Sequence, residues 1–138
     1  MNGKSNKWIL KEGAEADGNG ITVHDSLDTI EKEIVRADGN SNYMVVMKYI
    51  ENPLLKDYHK MDMRMWVLVT DWNPLTVWSY EECYFRVAYS KYDLEINDIA
   101  SHITNHVVYE QNREKDEDNV NDDGDNLISL SDFKEVVN

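Results

Sequence analysis

Cysteine, positive charge and long apolar runs are all scarce in this sequence. The one cysteine, Cys83, permits no internal disulfide, which fits a reducing compartment. No stretch approaches the roughly 20 apolar residues of a membrane span, and the opening residues lack the pattern of a secretory leader. The expectation is a soluble intracellular protein. Lys and Arg number 14 against 27 Asp and Glu, a net charge of -13, so the chain as a whole repels phosphate backbones and anionic lipid. Nucleic acid and membrane surfaces are excluded as general partners. At 138 residues there is material for one domain with a modest core.

The acidity is local. Residues 12–33 carry seven acids and one Lys, and residues 110–125 carry eight acids against two bases. Residues 48–91 hold six of each, so the middle of the chain is balanced between acidic flanks.

Along the chain, "KWILK" (7–11) and "ITV" (21–23) are short strands on either side of the glycine loop "EGAEADGNG". Asp25 or Ser26 caps a helix in which Leu27, Ile30 and Ile34 recur at helical spacing. "YMVVMKYI" (43–50) has the β-branched and aromatic content of a buried strand. Pro53 bars a regular ladder in the connection that follows. Strands are expected over 61–70 and 75–80, turning at Asn73-Pro74, with a separate short strand in "ECYFRVAY". "LEINDIASHI" suggests a short helix, and Tyr109 to Asn126 an acidic flexible insertion. A last helix starts in "SLSDFKEVVN", capped by Ser129 or Ser131. The pattern is α+β, with a mixed or antiparallel sheet and flanking helices. One domain spans 1–108, interrupted by the insertion 109–126 and resumed by the helix at 127–138.

The candidate site lies in "KMDMRMW". Residues two apart on a strand share a face, so Lys60, Asp62 and Arg64 line one side and Met61, Met63 and Met65 the other. The charged face continues into Trp66 and Leu68, which sets the charges at the mouth of a core. Withdrawing such groups from water without partners costs several kcal/mol each, on the order of the desolvation penalty. A triphosphate would satisfy the cations, while Asp62 could accept from a ribose hydroxyl or hold Arg64. A salt-bridged strand end with no ligand fits the same pattern.

These residues also carry a resemblance. "MKYIENPLLKDYHKMDMRMWVLVT" resembles the tubulin tyrosine ligase-like family, whose signature is K-Y-I/L-E-x-P-L-L followed by K-F-D-x-R, and "DWNPLTVW" is especially like its glycine-adding branch. "WILKEGAEADGNGI", "CYFRVA", "HITNH" and "SLSDFKEVV" match further family segments in the expected order. The resemblance implies a partial ATP-grasp fold, covering the central and part of the C-terminal subdomain. It also implies an ATP-dependent ligase that joins an amino acid, glycine in this branch, to tubulin tails through an acyl phosphate. Cytoplasm and cytoskeleton are the implied location, with cilium or axoneme for a glycylase. By the same resemblance, Lys11 contacts phosphate, and Gly13, Gly18 and Gly20 belong to the loop over the nucleotide. Lys48, Tyr49 and Ile50 form the adenine side, largely through backbone groups. Lys60 and Asp62 sit at ribose and phosphates, Arg64 and Arg86 at the transferring phosphate and acyl phosphate, and Thr104 and Asn105 complete the pocket. Arg forks hold phosphoryl oxygens bidentately, and fixed cations stabilise the charge that builds there.

The sequence departs from the family pattern at several points. Glu12 stands where the family has Pro, Asp17 where the glycine loop has Arg, and Met47 where Gln is usual. The family's Mg²⁺ ligands, an Asp and a later Glu-x-Asn pair, lie outside this chain. The chain alone is therefore expected to be a fragment or a decayed copy without catalytic competence. The alternative is a non-catalytic pseudoligase remnant or an acidic interaction module. An EF-hand-like loop over 121–132 would then add calcium affinity, with Asn121, Asp123, Asp125, Ile128 and Asp132 at ligand and core positions. Against it, Asn126 replaces the loop Gly and Asp132 the usual Glu. His102 and His106 lack a third zinc ligand, and Cys83 and the three methionines fit as packing residues.

Overall fold

The computed structural model describes residues 4–13, 15–37, 43–95, 98–115 and 124–137. Two antiparallel sheets and four helices make up the α+β fold among them. The smaller sheet has the order β2-β1-β3, formed by β1 (Trp8–Glu12), β2 (Thr22–His24) and β3 (Met44–Lys48). The larger has the order β4-β5-β6-β7, formed by β4 (Leu55–Lys56), β5 (His59–Trp72), β6 (Leu75–Lys91) and β7 (Leu127–Ser129). The helices are α1 (Leu27–Ala37), α2 (Ile99–His102), α3 (His106–Arg113) and α4 (Leu130–Val137).

Local chemistry explains the element ends. Ser26 accepts the Thr29 amide at 3.3 Å and so caps α1, with Asp28 in the first turn and Arg36 in the last, each on the side the helix dipole favours. Ser129 accepts the Asp132 amide at 3.1 Å and caps α4. Asp57 and Tyr58 both adopt positive φ, 49° and 70°, between β4 and β5, the conformation a two-residue hairpin of right-handed twist requires. The turn from β5 to β6 falls at Asn73-Pro74, as the dipeptide suggests.

Tertiary pairing changes several expectations. The segment "ECYFRVAY" is not a separate strand. β6 runs unbroken for 17 residues because β5 stays beside it through bulges at Met65/Val67 and Val69/Asp71. The connection after Pro53 contains β4, and β7 completes the larger sheet against Tyr84–Arg86. Residues 109–113, expected to begin a flexible insertion, instead finish α3, which Asn105 caps and Val108 and Tyr109 anchor. Residues 116–123 lie outside the described set. β3 is not buried: Val45, Val46 and Met47 are exposed on this edge strand of the smaller sheet. Trp66 and Leu68 do not lead into a core either, being 56% and 62% exposed. Of the three methionines only Met61 is buried.

The core that orders the site lies between the sheets. Ile9, Val23 and Tyr49 pack together, with Ile21, Tyr92, Leu94 and Ile103 against them. Lys11 lies on the Ile9 face of β1 by strand alternation.

Candidate functional site

Tyr49 and Glu51 follow β3 and cross the seam between the sheets. Glu51 is 3% exposed and accepts from the amides of Ser5 at 2.8 Å and Lys7 at 3.0 Å. It also pairs with Lys48, whose ammonium donates to the Lys7 carbonyl at 3.0 Å. The Lys48 hydrogen bond, helped by the two amides and opposed by burial, holds the Glu51 carboxyl at about 2, well below its ordinary range. The Tyr92 hydroxyl closes the seam by donating to the Glu51 carbonyl at 2.8 Å.

Lys60 stands beside this seam at the start of β5. Its ammonium donates to the Tyr49 hydroxyl at 3.1 Å and to the His102 carbonyl at 2.8 Å. The Tyr49 hydroxyl in turn meets His102 Nδ1 at 2.9 Å. Burial pushes the Lys60 ammonium down to about 8; Asp62 works against that shift and Lys11 adds to it. Burial likewise raises the Tyr49 phenol far above its ordinary value.

Further along the same face, Asp62 takes two hydrogen bonds from Arg86, at 2.9 and 2.6 Å. The two residues are directly opposite in the β5–β6 register, and the pair raises the Arg86 guanidinium further. Of the two roles expected for Asp62, holding Arg64 is corrected, since its carboxylate is bonded to Arg86. Cross-strand register gives its carboxylate to Arg86, while Arg64 lies over the Trp66 ring at 4.9 Å. Arg64 is exposed on the same face, opposite Tyr84.

The glycine loop and the H-I-T-N segment meet. Gly18 and Gly20 have φ of 87° and 63°, in the left-handed region that glycine tolerates. A Cβ at Gly18 would come within 2.8 Å of Val108 and 3.7 Å of the Asn105 Cβ, so the loop rests on the start of α3. Asp17, where the loop departs from the family pattern, is also left-handed at φ 59°. Thr104 is buried, and its carbonyl accepts from Asn126 at 3.0 Å. The Asn105 side chain caps α3 through the Val107 amide at 2.8 Å.

The remaining site residues divide. Ile50 is exposed, whereas the Tyr49 amide is taken by the Lys7 carbonyl at 3.0 Å and the Lys48 ammonium by Glu51. Sequence reasoning assigned no role to Glu51, Tyr92 or Lys7, and placed His102 in the H-I-T-N pocket segment without a role of its own. The signal for two of them was present: Glu51 ends the K-Y-I-E run and His102 opens H-I-T-N. His102 and His106 lie on different helices, and His106 Nδ1 meets the Asn126 side chain at 3.0 Å. No group of three metal-ligating side chains occurs among the described residues. Of the calcium-loop positions, Asn121 and Asp123 lie outside the described residues, while Ile128 pairs with Phe85 in β7 and Asn126 is tied to the Val87 and Thr104 carbonyls.

Two antiparallel sheets, a glycine loop against a helix start, and a cationic strand face at their seam define an α+β module built around one charged edge. A family profile described as "Tubulin-tyrosine ligase family" matches residues 1–138. The chain belongs to the tubulin-tyrosine ligase family, and the fold is a partial ATP-grasp domain of that family. It is 37% identical over 125 residues to Tubulin glycylase 3C of Tetrahymena thermophila, covering 90% of this chain and 12% of that protein. It is 43% identical over 111 residues to Tubulin monoglycylase TTLL3 of Danio rerio, covering 77% and 14%. Against Protein monoglycylase TTLL8 of Homo sapiens it is 42% identical over 111 residues, covering 78% and 13%. The chain therefore spans only a small part of the length of the curated relatives it matches.

Proposed function

We propose that this chain carries the nucleotide-facing part of an ATP-dependent amino-acid ligase that adds glycine to tubulin tails, working in the cytoskeleton and, as a glycylase, at the cilium. The observation that carries the reading is the single strand face on which Lys60, the Asp62–Arg86 pair and Arg64 follow one another beside the seam. The donor set suits a polyphosphate: a part-buried ammonium whose charge is costly without an anion, a second ammonium at Lys11, and an exposed guanidinium at Arg64. Lys11, Lys60 and Arg64 would hold phosphate oxygens, with Arg86 oriented by Asp62 at the reacting carboxyl group. Gly18, Gly20, Thr104 and Asn105 would border the nucleotide, and Ile50 the adenine. ATP would supply the phosphoryl group that turns the acceptor carboxylate into an acyl phosphate, leaving as ADP. The glycine amine would then attack the acyl carbon, form the amide bond and release inorganic phosphate with the amine proton. No cluster of three metal-ligating side chains occurs among the described residues, and no step is assigned here to a metal.

Isothermal titration with ATP tests the reading. The chain should bind, and Arg64→Ala should weaken binding by at least about tenfold, the size of one charge-assisted phosphate contact. Binding by neither protein, or equally by both, overturns it. Asp17, a carboxylate in the glycine loop, favours a second reading as a nucleotide-binding pseudoligase. ATP binding without glycine transfer to a tubulin-tail peptide by the full-length protein would select it.

A further inference from the structure

The Tyr49 side chain has no role in the reading above, which uses its neighbours and its backbone. Yet it is 3% exposed, and its hydroxyl stands between two groups that need it. His102, 1% exposed, comes from α2, and Lys60 comes from β5. We propose that Tyr49 and His102 form a positioning clasp for Lys60, holding its ammonium at the seam through the Tyr49 hydroxyl and the His102 carbonyl.

The geometry is closed on three sides. Lys60 Nζ lies 3.1 Å from the hydroxyl, 2.8 Å from the carbonyl and 4.8 Å from the centre of the Tyr49 ring. The hydroxyl is fixed by His102 Nδ1 at 2.9 Å, and the imidazole is held edge-on between the rings of Tyr49 and Tyr92, at 5.4 and 5.7 Å. Groups around the ammonium are Lys11 from β1, Tyr49 after β3, Asp62 on β5, Tyr92 after β6 and His102 on α2. An ammonium has three donors; the clasp occupies two and leaves one for an anion. A part-buried ammonium without those acceptors would shed its proton or swing toward water. Neither Tyr49 nor His102 need touch the nucleotide, since the clasp acts through Lys60.

The inference rests on the proposed nucleotide site only for its consequence, and the test separates the two. The ¹³Cε resonance of Lys60, assigned with Lys60→Met, is followed through its titration. The midpoint should lie near 8 in the parent chain and move to lower pH in Tyr49→Phe, which removes the acceptor and keeps the ring. His102→Phe, which keeps the carbonyl but withdraws the nitrogen beneath the hydroxyl, should move it the same way by less. A midpoint unchanged in both variants overturns the clasp, whether or not ATP binds. Where the parent chain binds ATP, Tyr49→Phe should lose about tenfold in affinity at neutral pH, as for one charge-assisted hydrogen bond. It should lose nothing further in the Lys60→Met background, and fully additive losses would also count against the clasp. Absence of ATP binding by the parent chain would defeat the nucleotide reading alone.

Discussion

The two ends of the β5–β6 ladder are paired in the same antiparallel way and have opposite surroundings. At the near end Met61, Phe85 and Ala88 are buried, Phe133 of α4 stacks on Phe85 at 4.1 Å, and Lys60 is clasped from α2. At the far end Trp66, Leu68, Trp72, Leu75, Trp78 and Tyr80 are all exposed, although their cross-strand pairing continues to the turn. A ladder of backbone hydrogen bonds is enough to extend the strands. Burial depends on whether another element covers them.

Substitutions can break or sharpen that contrast. The largest effect belongs to Phe85→Ala, which removes a buried ring from beneath α4 and should cost about 3–4 kcal/mol, measured by urea unfolding. A cost near zero would mean that α4 does not cover the near end. An intermediate effect belongs to Glu51, the carboxylate that ties the first strand to the seam. Its folded-state value is depressed to about 2 from an ordinary 4.5, so its contribution is intact above that ordinary value and is lost as pH falls through about 2. Unfolding midpoints of the parent chain and Glu51→Gln should therefore differ most near neutrality and converge across that acid window. A gap constant with pH would show that the carboxylate charge is not what stabilises the seam. The smallest effect belongs to Trp72→Ala at the far end, 81% exposed, which should change stability by no more than about 0.5 kcal/mol. A large loss there would erase the contrast between the two ends.

How legible each feature was follows from how local its cause is. The caps at Ser26 and Ser129 and the turn at Asn73-Pro74 were readable because a side chain and an amide three residues away, or one dipeptide, produce them. α3 carried a comparable signal, Asn105 followed by apolar Val107 and Val108, but it was hidden by the acidic composition that begins a few residues later and by the pocket role given to Asn105. The strands expected over 75–80 and in "ECYFRVAY" are one, because pairing with β5 carries β6 through Glu81. The charged face of β5 was legible because alternation alone puts Lys60, Asp62 and Arg64 together, whereas the partner of Asp62 was not. That depended on a register that sets Arg86 opposite it, 24 residues away.

By itself the sequence determined the α+β class, the family motifs, the strand face that carries the charges and the glycines that permit a left-handed loop. Each of these depends on spacing within a few residues or on side-chain type. Only the tertiary structure decided that Asp62 binds Arg86, that Glu51 anchors the seam, that Tyr49 and His102 hold Lys60, and that the aromatic far end of the hairpin is bare. Those outcomes join residues remote in the chain, and periodicity states which side chains share a face but not what that face meets.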